Sequence, residues 1–138
     1  MQDVLDALIT YFKGVSSVTD LTSTRIYGAD LPDDEIENMP RQTAVLKYAG
    51  GPESVRSHNV QRVRVDVLSY GDGFKEATAV DHAIADAAHD LGREEPSGSS
   101  TLIHSVGYGG PIQLREPETG WPYVVRTLLV IADERVTV

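Results

Sequence analysis

The amino-acid sequence predicts an α+β fold, a mostly antiparallel β-sheet with two helices packed on one face. Three observations carry this. Two segments repeat apolar residues at the helical period, one long segment alternates apolar and polar residues at the strand period, and the strands are joined by short or hairpin-like links that favour antiparallel neighbours. At 138 residues the chain is expected to form a single domain, 1–138, because that length buries one sizeable core and is short for two.

The first helix is expected from Asp3 to Lys13. Val4, Leu5, Leu8, Ile9 and Phe12 share one stripe there, Asp6, Thr10 and Lys13 lie opposite, and Gly14 supplies the stop. A polar stretch, Ser16 to Asp20, leads to Arg25-Ile26-Tyr27, which reads as a short edge strand. Gly28 to Pro40 is rich in turn residues and acids and reads as a solvated loop. The run Thr43 to Tyr48, within Gln42 to Ala49, reads as a strand ended by Gly50-Gly51-Pro52. From Val60 to Tyr70 the alternation is clean, with Val63, Val65 and Val67 on one face and Arg62, Arg64 and Asp66 on the other. The link between these strands predicts a long hairpin whose tip, with Glu53, Arg56 and His58, projects into solvent or a neighbour.

Gly71-Asp72-Gly73 opens the second helix, expected from Phe74 to Leu91. Phe74, Ala77, Val80, Ile84, Ala87, Ala88 and Leu91 form its stripe, and the small alanines allow a close approach to a sheet. Arg93 to Ser100 has a flexible composition. Two closing strands are expected, Thr101 to Tyr108 and Tyr123 to Ala132. Between them lies a loop containing Gly109-Gly110-Pro111 and Gly120-Trp121-Pro122.

Composition narrows the function classes. Hydrophobic residues make up 41% and charged residues 24%, the balance of a folded chain rather than a disordered one. There are no cysteines, which removes disulfides, cysteine-ligated metals and thiol nucleophiles together. The first residues lack a basic region followed by an apolar core, so no signal peptide is expected, and no stretch approaches the roughly 18 apolar residues of a membrane span. Synthesis in a cytoplasm, with no membrane partner, is the expectation. Twelve basic residues stand against 21 acidic ones, a formal charge of -9, whereas a chain that grips nucleic acid needs a basic face to displace counterions. The basic residues are nine Arg and three Lys, a bias suited to planar pairing at protein contacts.

No segment carries a recognisable catalytic pattern. His82, Asp86 and His89 fall on one helical face and could present metal ligands, but that face lies opposite the apolar stripe, and a solvated surface is the simpler reading. Asp30, Asp33, Asp34, Glu35 and Glu37 lack the ligand order and central glycine of a calcium loop, so they too read as a charged surface. The serines avoid the Gly-x-Ser-x-Gly pattern. The glycine segments carry neither phosphate-loop nor dinucleotide signatures. Trp121 with Tyr123 reads as core or interface rather than a ligand platform. No catalytic, metal or cofactor-binding residue is therefore expected, and no cofactor.

Read as connected text, Arg25-Ile26-Tyr27-Gly28-Ala29-Asp30-Leu31-Pro32, then Met39-Pro40-Arg41, Ala44-Val45-Leu46 and Gly50-Gly51 resemble the first half of siphophage tail terminator proteins. Gln61 to Gly71, followed by a helix with Glu76-Ala77, resembles that family's strand-turn-helix. The resemblance implies a tail-terminator-like domain with no enzymatic activity. It implies a virion protein that forms a ring, typically hexameric, on the head-proximal end of the tail tube, ends tube polymerisation and offers the surface to which the head attaches. Partners would be further copies of the chain, the tail-tube protein and a head-completion or connector protein, with DNA passing through the channel unbound. Net negative charge suits such a channel wall. Arg56, Arg62 and Arg64 are the candidate subunit-interface cations, and Glu94 or Glu95 of a neighbour the candidate acids. The alternatives are a head-tail connector or tail-completion protein of the neck and, from another class, a cellular ligand-binding or enzymatic α+β domain, since fold alone does not fix function.

Overall fold

The computed structural model describes residues 4–49, 60–91 and 100–134, with side chains over 4–49, 62–91 and 111–131. The helical stripe at the start becomes α1, Val4–Lys13, with Val4, Leu5, Ala7, Leu8 and Phe12 buried. The polar stretch after it is also helical, α2, Ser16–Thr22. Sequence reading missed this helix because its inward contribution is thin, Val18 and Thr22 being its buried residues. The Thr22 hydroxyl donates back to the Val18 carbonyl at 3.2 Å, so burial leaves it satisfied.

Strand β1, Ile26–Gly28, runs parallel to β2, Thr43–Tyr48. A parallel pair needs a crossover between its strands. Here the crossover carries a short helix, α3, Asp33–Ile36, in the segment expected to be a solvated loop. Strand β3, Val60–Tyr70, pairs antiparallel with β2, Thr43 opposite Tyr70 and Tyr48 opposite Val65. The tip of the expected hairpin lies outside the described residues.

The long helix α4, Phe74–His89, buries Ala77, Val80, Ile84, Ala87 and Ala88 as the stripe required. It can start where it does because Gly71 lies against its first turn. A Cβ at Gly71 would sit 2.5 Å from the Ala77 backbone nitrogen, closer than any side chain tolerates. Strand β4, Ser100–Arg115, continues through Gly109-Gly110-Pro111, where a loop was expected. It does so as an irregular strand, with register shifts between Leu102 and His104, Gly107 and Gly109, and Gly109 and Ile112. The turn is later and tighter: Glu116 N–H donates to the Trp121 carbonyl at 3.0 Å, and Gly120 takes a φ of 75° that glycine adopts without strain. Strand β5, Pro122–Glu134, then returns between β4 and β3, giving the order β1-β2-β3-β5-β4.

The fold is therefore α+β with a mostly antiparallel five-stranded sheet. Among the described residues four helices are present rather than two. Helices α1, α2 and α4 share one face of the sheet, where Leu8, Phe12, Val18, Val80 and Ile84 meet Ile26, Leu46, Val65, Val67 and Leu128 in one core. Each such side chain, fully buried, is worth roughly 1.5–3 kcal/mol. The Tyr11 hydroxyl donates to the Ala87 carbonyl at 2.8 Å, fastening α1 to α4.

One charged pair crosses this core layer. Arg126 on β5 donates through Nε and Nη2 to the two carboxylate oxygens of Asp81 on α4, at 2.9 and 2.8 Å. Asp81 is fully buried and Arg126 mostly so. Two fixed hydrogen bonds set both the height of α4 over β5 and its rotation. Asp81→Ala is expected to lower unfolding free energy by roughly 3–5 kcal/mol, because a buried guanidinium loses its partner, while Asp81→Leu with Arg126→Met recovers most of it. Urea denaturation of the three proteins checks this. Ser69 presents the reverse case: its buried hydroxyl oxygen finds no partner among the described residues, so Ser69→Ala should be neutral or stabilising by up to about 1 kcal/mol in the same assay.

Candidate assembly surface

Strand alternation assigns the opposite face of the sheet. Val65, Val67, Val124, Leu128 and Val130 are buried under the helices, so their neighbours Arg62, Arg64, Asp66, Leu68, Tyr123, Val125, Thr127, Leu129 and Ile131 point the other way. Register then sorts them into rows. Tyr27, Val45, Leu68, Val125 and Ile112 form one row across all five strands. Thr43, Tyr70, Tyr123 and Leu114 form the row at one end, and Arg62 with Ile131 lies toward the other.

The β1–β2 half of this face is covered by the crossover. Glu35 of α3, expected to be solvated, is buried. Arg41 donates to both of its carboxylate oxygens, at 2.7 and 2.9 Å, and the Tyr27 hydroxyl donates to it at 2.8 Å. The Arg41 hydrogen bonds hold the Glu35 carboxyl below the usual glutamate range. Burial, reinforced by Glu35, pushes the Tyr27 hydroxyl up. This three-residue clamp holds α3 against the sheet, and beneath it Val45 is 2% exposed. The other acids of the segment, Asp30, Asp33, Asp34 and Glu37, do face solvent.

Beside α3 a recess of about 350 Å³ opens between the crossover and the β4–β5 turn. Leu31, Ile36, Val45, Lys47, Tyr70 and Trp121 line it. Tyr70 packs edge-on against Trp121, centroids 6.4 Å apart, and beside Tyr123 at 5.4 Å. Its burial, then Glu116 and Tyr123, push its hydroxyl up to about 12. This aromatic group packs at one end of the face, where Tyr70 and Trp121 also line the recess.

Among the described residues, nothing covers the β5–β4 half. Ile112 is 54% exposed and Leu114 42%, Leu68, Val125, Leu129 and Ile131 are half-buried, and the middle holds Asp66, whose carboxylate accepts from the Thr127 hydroxyl at 2.6 Å. Arg62 is exposed and Arg64 half-buried at the arginine end. Arg62 and Arg64 thus share the open face. Arg56, Glu94 and Glu95 lie outside the described residues. The apolar character of this face escaped sequence reading because its members come from three strands, Leu68 from β3, Ile112 and Leu114 from β4, and Val125, Leu129 and Ile131 from β5, whose side-by-side order β3-β5-β4 differs from their order in the chain. His82, Asp86 and His89 are exposed on α4, on the far side of the molecule. Among the described residues no cluster of three or more His, Cys, Asp or Glu is placed to hold a metal, and no helix is long and apolar enough to cross a membrane.

No protein-family model matches this sequence, and no curated protein matches it. Among solved structures, the chain is similar to a chain in the virion of a native gene transfer agent particle, with a TM-score of 0.58 and 18% sequence identity over 94% of this chain and 93% of that chain. The likeness is one of fold, and it runs end to end.

The clamp makes the cover of the β1–β2 half sensitive to acid. Because Glu35 is held below its ordinary value, its contribution is complete above about pH 4.3 and is lost as pH falls through the lowered value. Glu35→Gln is expected to cost about 1–2 kcal/mol at pH 7, since Arg41 is partly solvated. The variant should also lose stability less steeply than the parent between about pH 5 and 3. Denaturation midpoints across that range provide the check.

Proposed function

We propose that this chain is a structural protein of a phage-like virion, and specifically a tail terminator that closes the head-proximal end of the tail tube as a ring. The observation that carries the reading is the end-to-end likeness to a chain of a gene transfer agent virion. Two further features support it. The residues Arg25 to Leu91 resemble siphophage tail terminators in sequence, and the half-covered sheet has exposed apolar residues at Ile112 and Leu114 of the kind that mark protein contacts.

In this reading the work of the protein is geometric. Copies repeat head to tail, and such a contact closes into a ring when its rotation divides the circle; a ring of matching diameter on the tube's growing end removes the site to which the next tube subunit would add. Its other rim meets a head-completion or connector protein. A formal charge of -9 keeps passing DNA from adhering to the channel wall. No bond is made or broken, and no residue is assigned a catalytic role.

Co-expression with the tail-tube protein tests the reading. Tubes of limited length carrying a ring at one end are expected by electron microscopy. Tubes of unlimited length with no ring at either end would sink it and transfer the role to the neck, where a head-tail connector or tail-completion protein binds.

A further inference from the structure

The uncovered half of the sheet face has a complement elsewhere on the same chain. Leu129 and Ile131 lie beside Arg62 and Arg64 on that face, with Ile112 and Leu114 exposed farther along it. Across β3, β5 and β4, with strands about 4.8 Å apart and roughly 20 Å between Arg62 and Leu68, the patch measures on the order of 300 Å². A stable contact buries about 800 Å² per partner, so the patch needs a protruding partner that also engages its charged end. The outer side of the α3 segment has that form. Asp30, Asp33, Asp34 and Glu37 are exposed around Ile36, itself 45% exposed, while Glu35 turns inward to the clamp. The segment therefore stands rigidly and shows an apolar side chain within a ring of carboxylates. The patch shows apolar side chains beside guanidinium groups.

We propose that the α3 segment of one copy docks on the uncovered sheet face of a second copy, with Asp33 and Asp34 facing Arg62 and Arg64 and Ile36 against Leu129 and Ile131. The proposal deepens the ring-forming reading above and rests on it. Both surfaces are present on each copy and they differ. Used once per pair of copies, the contact is heterologous and repeats from copy to copy, as the ring reading requires. Used reciprocally it closes a two-fold dimer, and native mass spectrometry separates the two by the number of copies. The inner side of α3 covers its own β1–β2 half, and its outer side covers the neighbour's β5–β4 half. The proposal gives the acid role to Asp33 and Asp34, beside the clamp, while Glu94 and Glu95 lie outside the described residues.

Sedimentation velocity of the full chain, with native mass spectrometry, tests this through a charge swap. Arg62→Glu and Asp34→Lys are both at exposed positions, and each alone is expected to weaken self-association about tenfold or more. The double variant restores it toward the parent, because the swapped charges face each other again. Ile112→Glu, also exposed, weakens association without a rescue. Single variants that associate like the parent, or a double variant no better than its singles, overturn the proposal. So does a parent chain that stays monomeric at up to about 1 mM. If Ile112→Glu associates normally yet no longer caps tubes, the face belongs to another partner and the proposal is likewise overturned. Tube capping is scored separately, so capping that survives while the charge swap fails leaves the terminator reading standing and removes only this contact.

Discussion

A five-stranded sheet has two faces and can bury only those that something packs against. In this molecule α1, α2 and α4 all lie on one face, and the consequences of that asymmetry run through the rest of the structure. The bidentate bond from Arg126 to Asp81 fixes where the helical layer stands. The second face is left to a crossover segment with a single turn of helix. A parallel β1–β2 pair is what makes that segment long enough to reach across, so the topology that isolates β1 at the edge also supplies the partial cover.

The cover is held by charge rather than by area. Leu31 and Ile36 contribute little apolar surface, but Glu35 gathers Arg41 and Tyr27 into three short hydrogen bonds. Charge-assisted bonds of this kind are shorter and stronger than neutral hydrogen bonds, and the paired Arg–carboxylate geometry makes them directional. A segment held this way is rigid in its inner half and remains polar on its outer half. The remaining surface, from Leu68 across Val125 to Ile112, receives no such cover from the described residues, and exposed apolar side chains there are unfavourable unless other groups remove them from water.

Much of this was legible in the sequence where periodicity is strong. Val63, Val65 and Val67 announced β3 and its buried face, and the stripe from Ala77 to Ala88 announced α4 and the side it would bury. The failures have separate causes. Helix α2 was missed because its two apolar residues, Val18 and Leu21, fall within a single turn and are too few to produce a stripe. Glu35 was read as solvated because nothing local distinguishes it from Asp33 or Asp34; its partners, Tyr27 and Arg41, are brought to it by the crossover. Asp81 sits between apolar neighbours on α4 and owes its burial to Arg126, 45 residues away. Strand β4 passes through Gly109-Gly110-Pro111 because those residues are accommodated as register irregularities, and glycine and proline in a strand read the same locally as a turn. The candidate surface was legible only in Arg62 and Arg64, whose alternation placed them on the polar side; its apolar members become neighbours only through the order β3-β5-β4.

The edges of the sheet bear on how copies can meet. An open edge invites another strand to pair with it, the usual route to uncontrolled association. Here β1 is three residues long, and β4 is interrupted by three register shifts and by Pro111, which has no N–H to donate. Neither edge offers a long run of evenly spaced hydrogen-bonding groups. Association through a continuous intermolecular sheet is therefore disfavoured at both ends, and the apolar surface that remains available lies on a face. Contacts between faces are set by side-chain shape and charge, which can fix one angle between copies, whereas strand pairing tolerates slippage by two residues. The proposed ring requires a fixed angle, and blunted edges beside a half-face that no described residue covers are compatible with one.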